Sequence, residues 1–409
     1  MRVLYITTSF TALSSTFITR EISDLRKLGL KIFLLATKPT KSKPATEPEA
    51  DLNGCRFIYP APLFPVIGGI VQVIFRSPTR FVKCLQLIII SNKDTFLKKL
   101  KLFYQLLVVC RHAEWIRRED IDHIHAHFAT TPTTFAMFLA TLTGKTFSFT
   151  DHGSGLFHEQ IGLVPKFREA AGISAISEFN VGFYPDISAT IPPVRIVRCG
   201  LDPEQFGFIP RKHSKDPLRI LTVSRVVPKK GFSFLLDSLA ELDKRGISWE
   251  ATLVGDGPIL DDLKNQAEIL GLKNLKFTGA MQQDKIRDLM MQADVLPLPC
   301  VVAPDGDMDG IPVTLMEAMA CGCPVISTRL SGIPELVINE KSGLLIEPED
   351  VTALTKALIR IKEEPALVAQ LSQGGRDWVE DEFNIRKSAE RQAGFFRSIS
   401  KRNPNEHTR

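Results

Sequence analysis

Short apolar runs alternate with longer stretches of helical periodicity along the whole 409-residue chain. Examples of the runs are VLYI, IFLLA, FSFT, RILTVS and PVIST, in which few polar residues interrupt the apolar ones. A strand that is apolar on both sides belongs inside a sheet that is covered on both faces, as parallel strands joined by helices are. The alternation therefore predicts an α/β fold built on parallel sheets.

The length of the chain fits two domains of roughly 200 residues each better than one core. Polar residues and prolines interrupt the alternation at IPRKHSKDP, residues 209–217, just before a new strand. We therefore predict a first domain over 1–208 and a second over 209–380. Residues 381–400 are predicted to form a helix that returns to the first domain, and 401–409 to form a disordered tail.

Composition narrows the class of protein. The 44% hydrophobic and 24% charged content is that of a globular chain, and the net charge of +5 gives no support to nucleic-acid binding. The seven cysteines are scattered and odd in number, which predicts a reducing, cytoplasmic setting. The pair Cys321 and Cys323 lacks a second ligand pair nearby, which disfavours zinc. The start MRVLYITTSF has no signal-peptide pattern, and LIII, the longest membrane-like run, is far too short to span a bilayer.

An acidic segment, PDGDMDGIPVTLMEAMACG, occupies residues 304–322 and resembles a calcium loop, with Asp305, Asp307 and Asp309 at alternate positions. An EF-hand requires a glutamate six positions after its glycine, where this chain has Met316, so calcium is disfavoured. The stretch VTLMEAMACG predicts a helix instead, with a proline in its first turn and a glycine at its end.

The acidic loop then precedes a helix N-terminus, where free N–H groups favour an anion such as phosphate. The alternative to a ligand-binding role is that Asp309 only caps the N-terminus of this helix. Glu317 lies one turn into the helix, where a carboxylate is either half-exposed or accepts hydrogen bonds from hydroxyl groups of a partner.

A cationic loop, VSRVVPKKGF, follows the first strand of the second domain and contains Arg225, Lys229 and Lys230. Loops at the carboxyl ends of parallel strands bind ligands, and these cations suit a diphosphate. A solvated basic loop is the alternative. The turn VGDGP, with Gly255 and Gly257, is by itself a weak indication of a binding site, because it also fits an ordinary connection between strand and helix.

In this order, the segments resemble the nucleotide-sugar half of retaining glycosyltransferases of family 4. That resemblance implies the GT-B fold, an α/β fold of two Rossmann-like domains whose parallel sheets face each other across a cleft. The family's arginine-lysine loop, its G-x-GP turn and its two acids eight positions apart all have counterparts here. Asp309 stands where the usual signature has Glu, and GIP where it commonly has GFG. Both changes, and the N-terminal SSTFITREISDLRKLGLKI, resemble the branch for colanic acid and other exopolysaccharides.

The resemblance also implies roles for individual residues. Arg225 and Lys230 would contact the diphosphate, Glu317 the ribose hydroxyls and Asp309 the transferred sugar. His152, just past a predicted strand, resembles the family's histidine that faces sugar and acceptor. The other donor-binding positions are Gly255, Gly257, Gly310, Ile311, Pro312, Val313 and Thr314. The neighbouring His123, His125 and His127 alternate along one strand and are predicted to be structural.

Between Phe75 and Arg118, basic residues are interleaved with apolar ones. This pattern is typical of one or two basic amphipathic helices that lie on anionic membranes. A solvated helical face over a core stripe explains it equally well.

Together with these observations, the resemblance implies a retaining, metal-independent glycosyltransferase without a cofactor. The donor would be a UDP or GDP sugar, and the acceptor a lipid-linked glycan or polysaccharide at the inner face of the cell membrane. We attribute the D-x-D formed by Asp305 and Asp307 to chance, because Arg225 and Lys230 suffice for the leaving diphosphate. The alternatives are a sugar-nucleotide epimerase or glycan phosphorylase on the same fold, and a non-enzymatic polysaccharide-assembly protein.

Overall fold

The computed structural model describes residues 1–10, 16–39, 52–91, 94–153, 155–157, 161–213 and 216–400. The predicted tail 401–409 lies outside these ranges. The chain divides into two compact units, one of Met1–Arg198 with the segment from Ile385 onward, the other of Cys199–Asn384. The predicted boundary after residue 208 falls later than this division. Leu201 bridges to Asn384, and Phe206 is buried in the core of the second unit, so residues 199–208 pack with the second unit.

The first unit contains one parallel sheet. In the described residues its strands are β1 (Arg2–Thr7), β2 (Lys31–Ala36), β3 (Arg56–Phe57), β4 (His123–His127), β5 (Thr146–Asp151), β6 (Gly172–Ala175) and β7 (Val194–Ile196). Their spatial order is β3-β2-β1-β4-β5-β6-β7. The direction of the strand order reverses between β1 and β4, which is the switch point where open α/β sheets bind ligands.

The second unit repeats this plan. The part of the chain that the structure describes contributes β8 (Leu218–Val223), β9 (Trp249–Val254), β10 (Leu275–Gly279), β11 (Leu296–Leu298), β12 (Val325–Thr328) and β13 (Leu344–Ile346). The strands form two parallel groups, β10-β9-β8 and β11-β12-β13, joined by a bridge between Ile220 and Val295. Pairing ends there because Pro297, the next residue of β11 in register to donate to β8, has no N–H.

The helices of the first unit within the described ranges are α1 (Thr16–Lys27), α2 (Leu63–Arg76), α3 (Pro78–Ile90), α4 (Phe96–Val109), α5 (Ala113–Arg118), α6 (Thr131–Thr143), α7 (Leu163–Glu169), α8 (Glu178–Gly182) and α9 (Tyr184–Ile187). Those of the second unit are α10 (Phe232–Lys244), α11 (Leu260–Ile269), α12 (Gln283–Gln292), α13 (Val313–Ala320), α14 (Ile333–Leu336), α15 (Val351–Glu363) and α16 (Pro365–Glu382), and α17 (Ile385–Ile399) completes the first unit.

Helix α17 packs on α1, and its Gln392 accepts a hydrogen bond from Ser174 Oγ at 2.8 Å. The basic stretch predicted as one or two helices over 75–118 is divided further, into the end of α2, then α3, α4 and α5. Pro78 starts a new helix there, in the first-turn position that proline tolerates. None of the helices in the described ranges combines the length and the apolar character that crossing a membrane requires.

Candidate functional site

Four charged side chains meet at the switch point of the second unit, between β8 and β11. The loop after β8 carries Lys229 and Lys230, and the loop after β11 carries Asp307 and Asp309. Because both strands run in the same direction, both loops leave the sheet at its carboxyl edge. The fold therefore brings together two motifs that lie far apart in the sequence.

These side chains form an ion-pair cluster. Lys230 Nζ donates to Asp309 Oδ2, while Lys229 Nζ lies 2.9 Å from Asp307 Oδ2 and 3.4 Å from Asp309 Oδ1. The Cys300 thiol contacts the same Asp309 carboxylate at 3.5 Å. Both lysines are buried, so the charges sit in a poorly solvated environment where Coulombic attraction is strong.

The cluster perturbs the pKa values of its members. Burial, the largest influence, acts to lower the pKa of Lys230, but the charge of Asp309, the Cys300 thiol and the hydrogen bond to Asp309 together raise it. Burial likewise acts to raise the pKa of Asp309, but the charges of Lys230 and Lys229 and the hydrogen bonds from Lys230 and Cys300 together lower it. Both groups are therefore charged near neutral pH, and the two lysines compensate the charges of Asp307 and Asp309.

Arg225 differs from the two lysines. It is exposed, and within the described ranges its guanidinium has no carboxylate partner. Its charge still reaches the cluster, where it acts to lower the pKa of Lys230. Arg225 is therefore a cation available to an anionic ligand at the edge of the cluster.

Three glycines allow the loops around the cluster to approach each other. Gly231 has φ of +66°, and a Cβ there would lie 1.9 Å from the carbonyl oxygen of Pro299. A Cβ at Gly255 would lie 1.8 Å from the Ser224 oxygen, and one at Gly257 would lie 2.1 Å from the Val226 oxygen. The predicted donor-binding Gly255 and Gly257 thus have a close-packing role against the cationic loop, whatever else they contact.

Helix α13 begins at Val313, with Pro312 as its N-cap and no side chain capping it. The alternative that Asp309 is merely this cap is wrong, because its carboxylate is bonded to the lysines. The predicted segment 310–314 leads into the first turn, where N–H groups lack helical partners. Glu317 is buried one turn further, where its Oε1 accepts from Gln283 Nε2 at 3.2 Å.

In the first unit, His152 follows β5 and contacts the end of β4. Its Nε2 lies 2.9 Å from His127 Nδ1, and its ring packs on Phe17 and Phe128. Burial and the neighbouring His127 hold the pKa of His152 well below its ordinary value, so the ring is neutral. The prediction that His127 is only structural misses this direct contact with the candidate functional histidine.

The other two histidines of β4 are satisfied by hydroxyl groups of β5, as the prediction of structural histidines requires. His123 bonds to Thr146 and Ser148, and His125 to Ser148 and Thr150. Of the described residues, Glu21, His125 and His127 place possible metal-ligand atoms within 4.8 Å of one another. Both ring nitrogens of His125 are already hydrogen-bonded, so we assign no metal to this group.

Several residues of these sites carry little or no sequence signal. Cys300 follows a run that reads as a loop, because Pro297 and Pro299 interrupt it. Gln283 is one polar residue among many on α12. Glu21 is detectable only as an acid that the helical period places among the buried positions of α1.

Comparison with solved structures assigns the fold. The structure of HepE from Anabaena in complex with UDP matches with a TM-score of 0.72 and 17% identity, over 97% of this chain and 100% of that one. The protein thus has the GT-B fold, with two Rossmann-like domains. Residues 206–378 match the family model described as glycosyl transferases group 1, so the second unit contains a glycosyl transferase group 1 domain.

Two relatives refine this assignment. Amylovoran biosynthesis glycosyltransferase AmsK of Erwinia amylovora is 38% identical over 192 residues, which cover 47% of this chain and 47% of AmsK. WcaL of Escherichia coli, named for colanic acid biosynthesis, is 34% identical over 220 residues, covering 53% of this chain and 54% of WcaL. The chain spans about half the length of the curated relatives it matches.

Proposed function

We propose that this protein is a retaining, metal-independent glycosyltransferase of exopolysaccharide or cell-envelope synthesis. It moves a sugar from a nucleoside diphosphate donor, with UDP or GDP as the nucleotide, to a lipid-linked or polysaccharide acceptor. The observation that carries the proposal is the buried lysine-aspartate cluster at the switch point, beside the start of α13. The glycosyl transferase group 1 domain and the UDP bound to HepE support it.

The donor diphosphate is bound by Arg225 and Lys230 in this proposal. Arg225 offers an exposed guanidinium, and Lys230 offers a charge that burial makes more effective. N–H groups at the start of α13 contact further oxygen atoms of the donor. These cations neutralise the leaving diphosphate, so no divalent metal is required.

The two acids act on hydroxyl groups. Glu317 accepts from the ribose, and Asp309 orients the sugar and stabilises positive charge that develops at its anomeric carbon. His152 contacts a hydroxyl of the substrate, and Gly255 and Gly257 line the side of the nucleotide base. No covalent nucleophile is assigned, and we favour front-face attack assisted by the leaving phosphate.

The acceptor side uses the first unit, which binds an anionic membrane surface through α2 and α4. Phe64 and Phe75 of α2 are each 85% exposed, and Phe96 at the start of α4 is 80% exposed. Between residues 57 and 113 the sequence has eight lysines and arginines but a single acid, Asp94. Exposed aromatic side chains beside an excess of cations suit an anionic lipid surface at the cytoplasmic face.

Thermal-shift titration with UDP, GDP and ADP sugars tests the donor, since ligand at about 100 times its dissociation constant adds about 2.7 kcal/mol. Product analysis with and without EDTA then tests transfer, anomeric configuration and metal independence. Epimerised donor or phosphorolysis would identify one of the alternative enzymes. The absence of nucleotide binding would favour a non-enzymatic assembly protein.

Cosedimentation with vesicles tests the membrane surface. Binding to phosphatidylglycerol vesicles should fall steeply from low to high salt, and binding to phosphatidylcholine should be weak. The double variant Lys98→Glu with Lys101→Glu should lose most of the binding. Lys273→Glu with Lys276→Glu, exposed positions of the second unit, is the charge-matched control. Equal binding to both lipids, or an equal loss of binding in both double variants, would contradict the proposed membrane-binding surface.

A further inference from the structure

Two buried lysines share one buried carboxylate in the second unit. Lys230 Nζ donates to Asp309 Oδ2, while Lys229 Nζ lies 3.4 Å from the other oxygen of the carboxylate, Oδ1. The side chains of Lys229, Lys230 and Asp309 are 11%, 9% and 13% exposed. The proposed function assigns Lys230 to the diphosphate and Asp309 to the sugar. Lys229 has no role in it, although this side chain is buried beside both.

Lys229 connects the two loops of the cluster. Its Nζ lies 2.9 Å from Asp307 Oδ2 and donates to the carbonyl oxygen of Met308 at 3.4 Å. Its own carbonyl oxygen accepts the N–H of Val301 at 3.0 Å. Main-chain and side-chain contacts therefore place the ammonium group of Lys229 between two carboxylates, those of Asp307 and Asp309.

The charges of the cluster balance before any ligand binds, because two lysines face two aspartates. The two acids differ in their exposure. The side chain of Asp307 is 31% exposed and has access to water, whereas that of Asp309 is 13% exposed. The Cys300 thiol contacts Asp309 at 3.5 Å, and burial above all raises its pKa, so it stays protonated and adds no charge. Asp309 therefore depends on a lysine for its counter-charge, and Asp307 does not.

A bound diphosphate disturbs this balance. Once its oxygen atoms engage Lys230, one ammonium group faces two anions, the diphosphate and Asp309. An uncompensated charge in a buried site is strongly unfavourable. Arg225 does not replace the counter-charge, because its guanidinium is exposed and is itself assigned to the diphosphate. Among the described residues, the remaining cation within ion-pair distance of Asp309 is Lys229.

We propose that Lys229 is a positioning residue that takes over as the counter-charge of Asp309 when the diphosphate engages Lys230. Lys229 gives up Asp307, which water then solvates, and holds the Asp309 carboxylate ionised and in place beside the sugar. This inference rests on the proposed function, because it places a diphosphate at Lys230. It predicts that the donor binds without a proton entering the cluster.

The influences on the pKa of Asp309 support this role. Burial acts to raise this pKa, and the charges of Lys230 and Lys229, with hydrogen bonds from Lys230 and Cys300, together lower it. Asp309 thus keeps one favourable charge when the other is engaged elsewhere. Without Lys229, a diphosphate at Lys230 leaves burial as the dominant influence, so the Asp309 carboxyl should take up a proton between about pH 5 and 8.

Titration calorimetry with UDP and with GDP, in buffers of different ionisation enthalpy, counts the protons taken up on binding. Lys229→Met keeps the length of the side chain and removes its charge. At about pH 6 this variant should take up as much as one proton more than the parent, and the comparison cancels the titration of the nucleotide itself. Its affinity should be about 10- to 100-fold below that of the parent at about pH 8, and should recover by up to about tenfold per unit of falling pH.

Three further variants separate charge from structure. Lys229→Arg keeps a cation and Asp307→Asn removes the other acid, so both should bind with the proton count of the parent. The double variant Lys229→Met with Asp307→Asn leaves Lys230 and Asp309 as a balanced pair and is expected to fold where the single variant does not. It should take up the same extra proton as Lys229→Met. A loss of affinity that is independent of pH, with no extra proton in either variant that lacks Lys229, would overturn the inference and make Lys229 a structural link between the loops.

A measurement without ligand decides the same point if the parent binds neither nucleotide, an outcome that would refute the proposed function. In Lys230→Met, Lys229 should keep Asp309 ionised, so the melting temperature should follow that of the parent from about pH 5 to 8. Removing both lysines should raise the folded pKa of Asp309, so its stabilisation is present at low pH and is lost as the pH rises through that value. The melting temperature of this double variant should fall by about 5 °C or more over the same range. Equal pH profiles for the two variants would refute the role of Lys229.

Discussion

Replacing Asp309 with asparagine tests the buried cluster of the second unit most directly. Lys230 would lose its counter-charge, while Lys229 would keep Asp307 at 2.9 Å. Removing one partner of a buried ion pair costs about 3–5 kcal/mol. The side chains of Lys230 and Asp309 are 9% and 13% exposed, and asparagine still accepts a hydrogen bond, so the lower value applies. For a domain of this size we expect the melting temperature to fall by about 6–12 °C.

The dependence of this loss on pH follows from the two pKa shifts. Asp309 has a lowered pKa in the folded protein, so its stabilisation is present above the unfolded value of about 3.9 and is lost as the pH falls through the folded value. Lys230 has a raised pKa, so its stabilisation is present below about 10.4 and is lost as the pH rises through the folded value. The difference between parent and variant is therefore largest from about pH 5 to 9.

Scanning calorimetry at several pH values measures this difference. Asp305→Asn is the matched control, because Asp305 lies in the same loop but is exposed, and among the described residues its carboxylate accepts only the N–H of Asp307 at 3.0 Å. The control should melt within about 2 °C of the parent, as surface substitutions do. The reasoning is refuted if Asp309→Asn melts as the control does, or if its deficit stays constant down to pH 3. UDP or GDP should restore more stability to Asp309→Asn than to the parent, since the diphosphate supplies the missing counter-charge.

Three further outcomes are expected. Arg225→Ala should lower turnover in a steady-state assay on the order of 10²-fold, while Arg225→Lys should keep part of the activity. Near-normal turnover of the alanine variant would mean that the loop is only a solvated connection between strand and helix. Glu317→Gln should weaken a charge-assisted hydrogen bond to the ribose worth about 1.5–3 kcal/mol. Calorimetry with the free nucleoside diphosphate should then show about 10- to 100-fold lower affinity. Unchanged affinity would mean that Glu317 does not bind the ribose. Lys166→Met should destabilise the first unit, because the fully buried Nζ donates to the carbonyls of Ala129, Thr130 and Ile161 at 2.7–3.0 Å, and a circular dichroism melt equal to that of the parent would contradict this role.

The sequence predicts the strands that are buried on both faces, because few polar residues interrupt most of their apolar runs. It does not predict β3, which has two exposed residues, or β11, where Pro297 argues against a strand. β11 tolerates the proline because Leu296 and Leu298 pair with β12, and the missing N–H points towards β8, where the ladder has already ended. Local propensity carries no information about which side of a strand will be paired.

The sequence predicts which residues belong to the candidate site, but not which of them contact each other. Lys230 and Asp309 belong to different motifs, 79 positions apart, and the resemblance assigns one to phosphate and the other to sugar. Their direct contact depends on β8 and β11 being neighbours, which follows from strand order and not from either motif. The same holds for His127 and His152, whose contact requires β4 and β5 to be neighbours in the sheet.

The glycine contacts around the cationic loop have a consequence for sequence change. Gly231, Gly255 and Gly257 face backbone oxygens of neighbouring loops at distances that leave no room for a side chain. Side chains at exposed positions such as Arg225 and Asp256 can then vary without moving the scaffold that presents them. Substitutions at these exposed positions are expected to alter ligand preference while the three glycines stay unchanged. The same loop backbone could then present side chains suited to different donors.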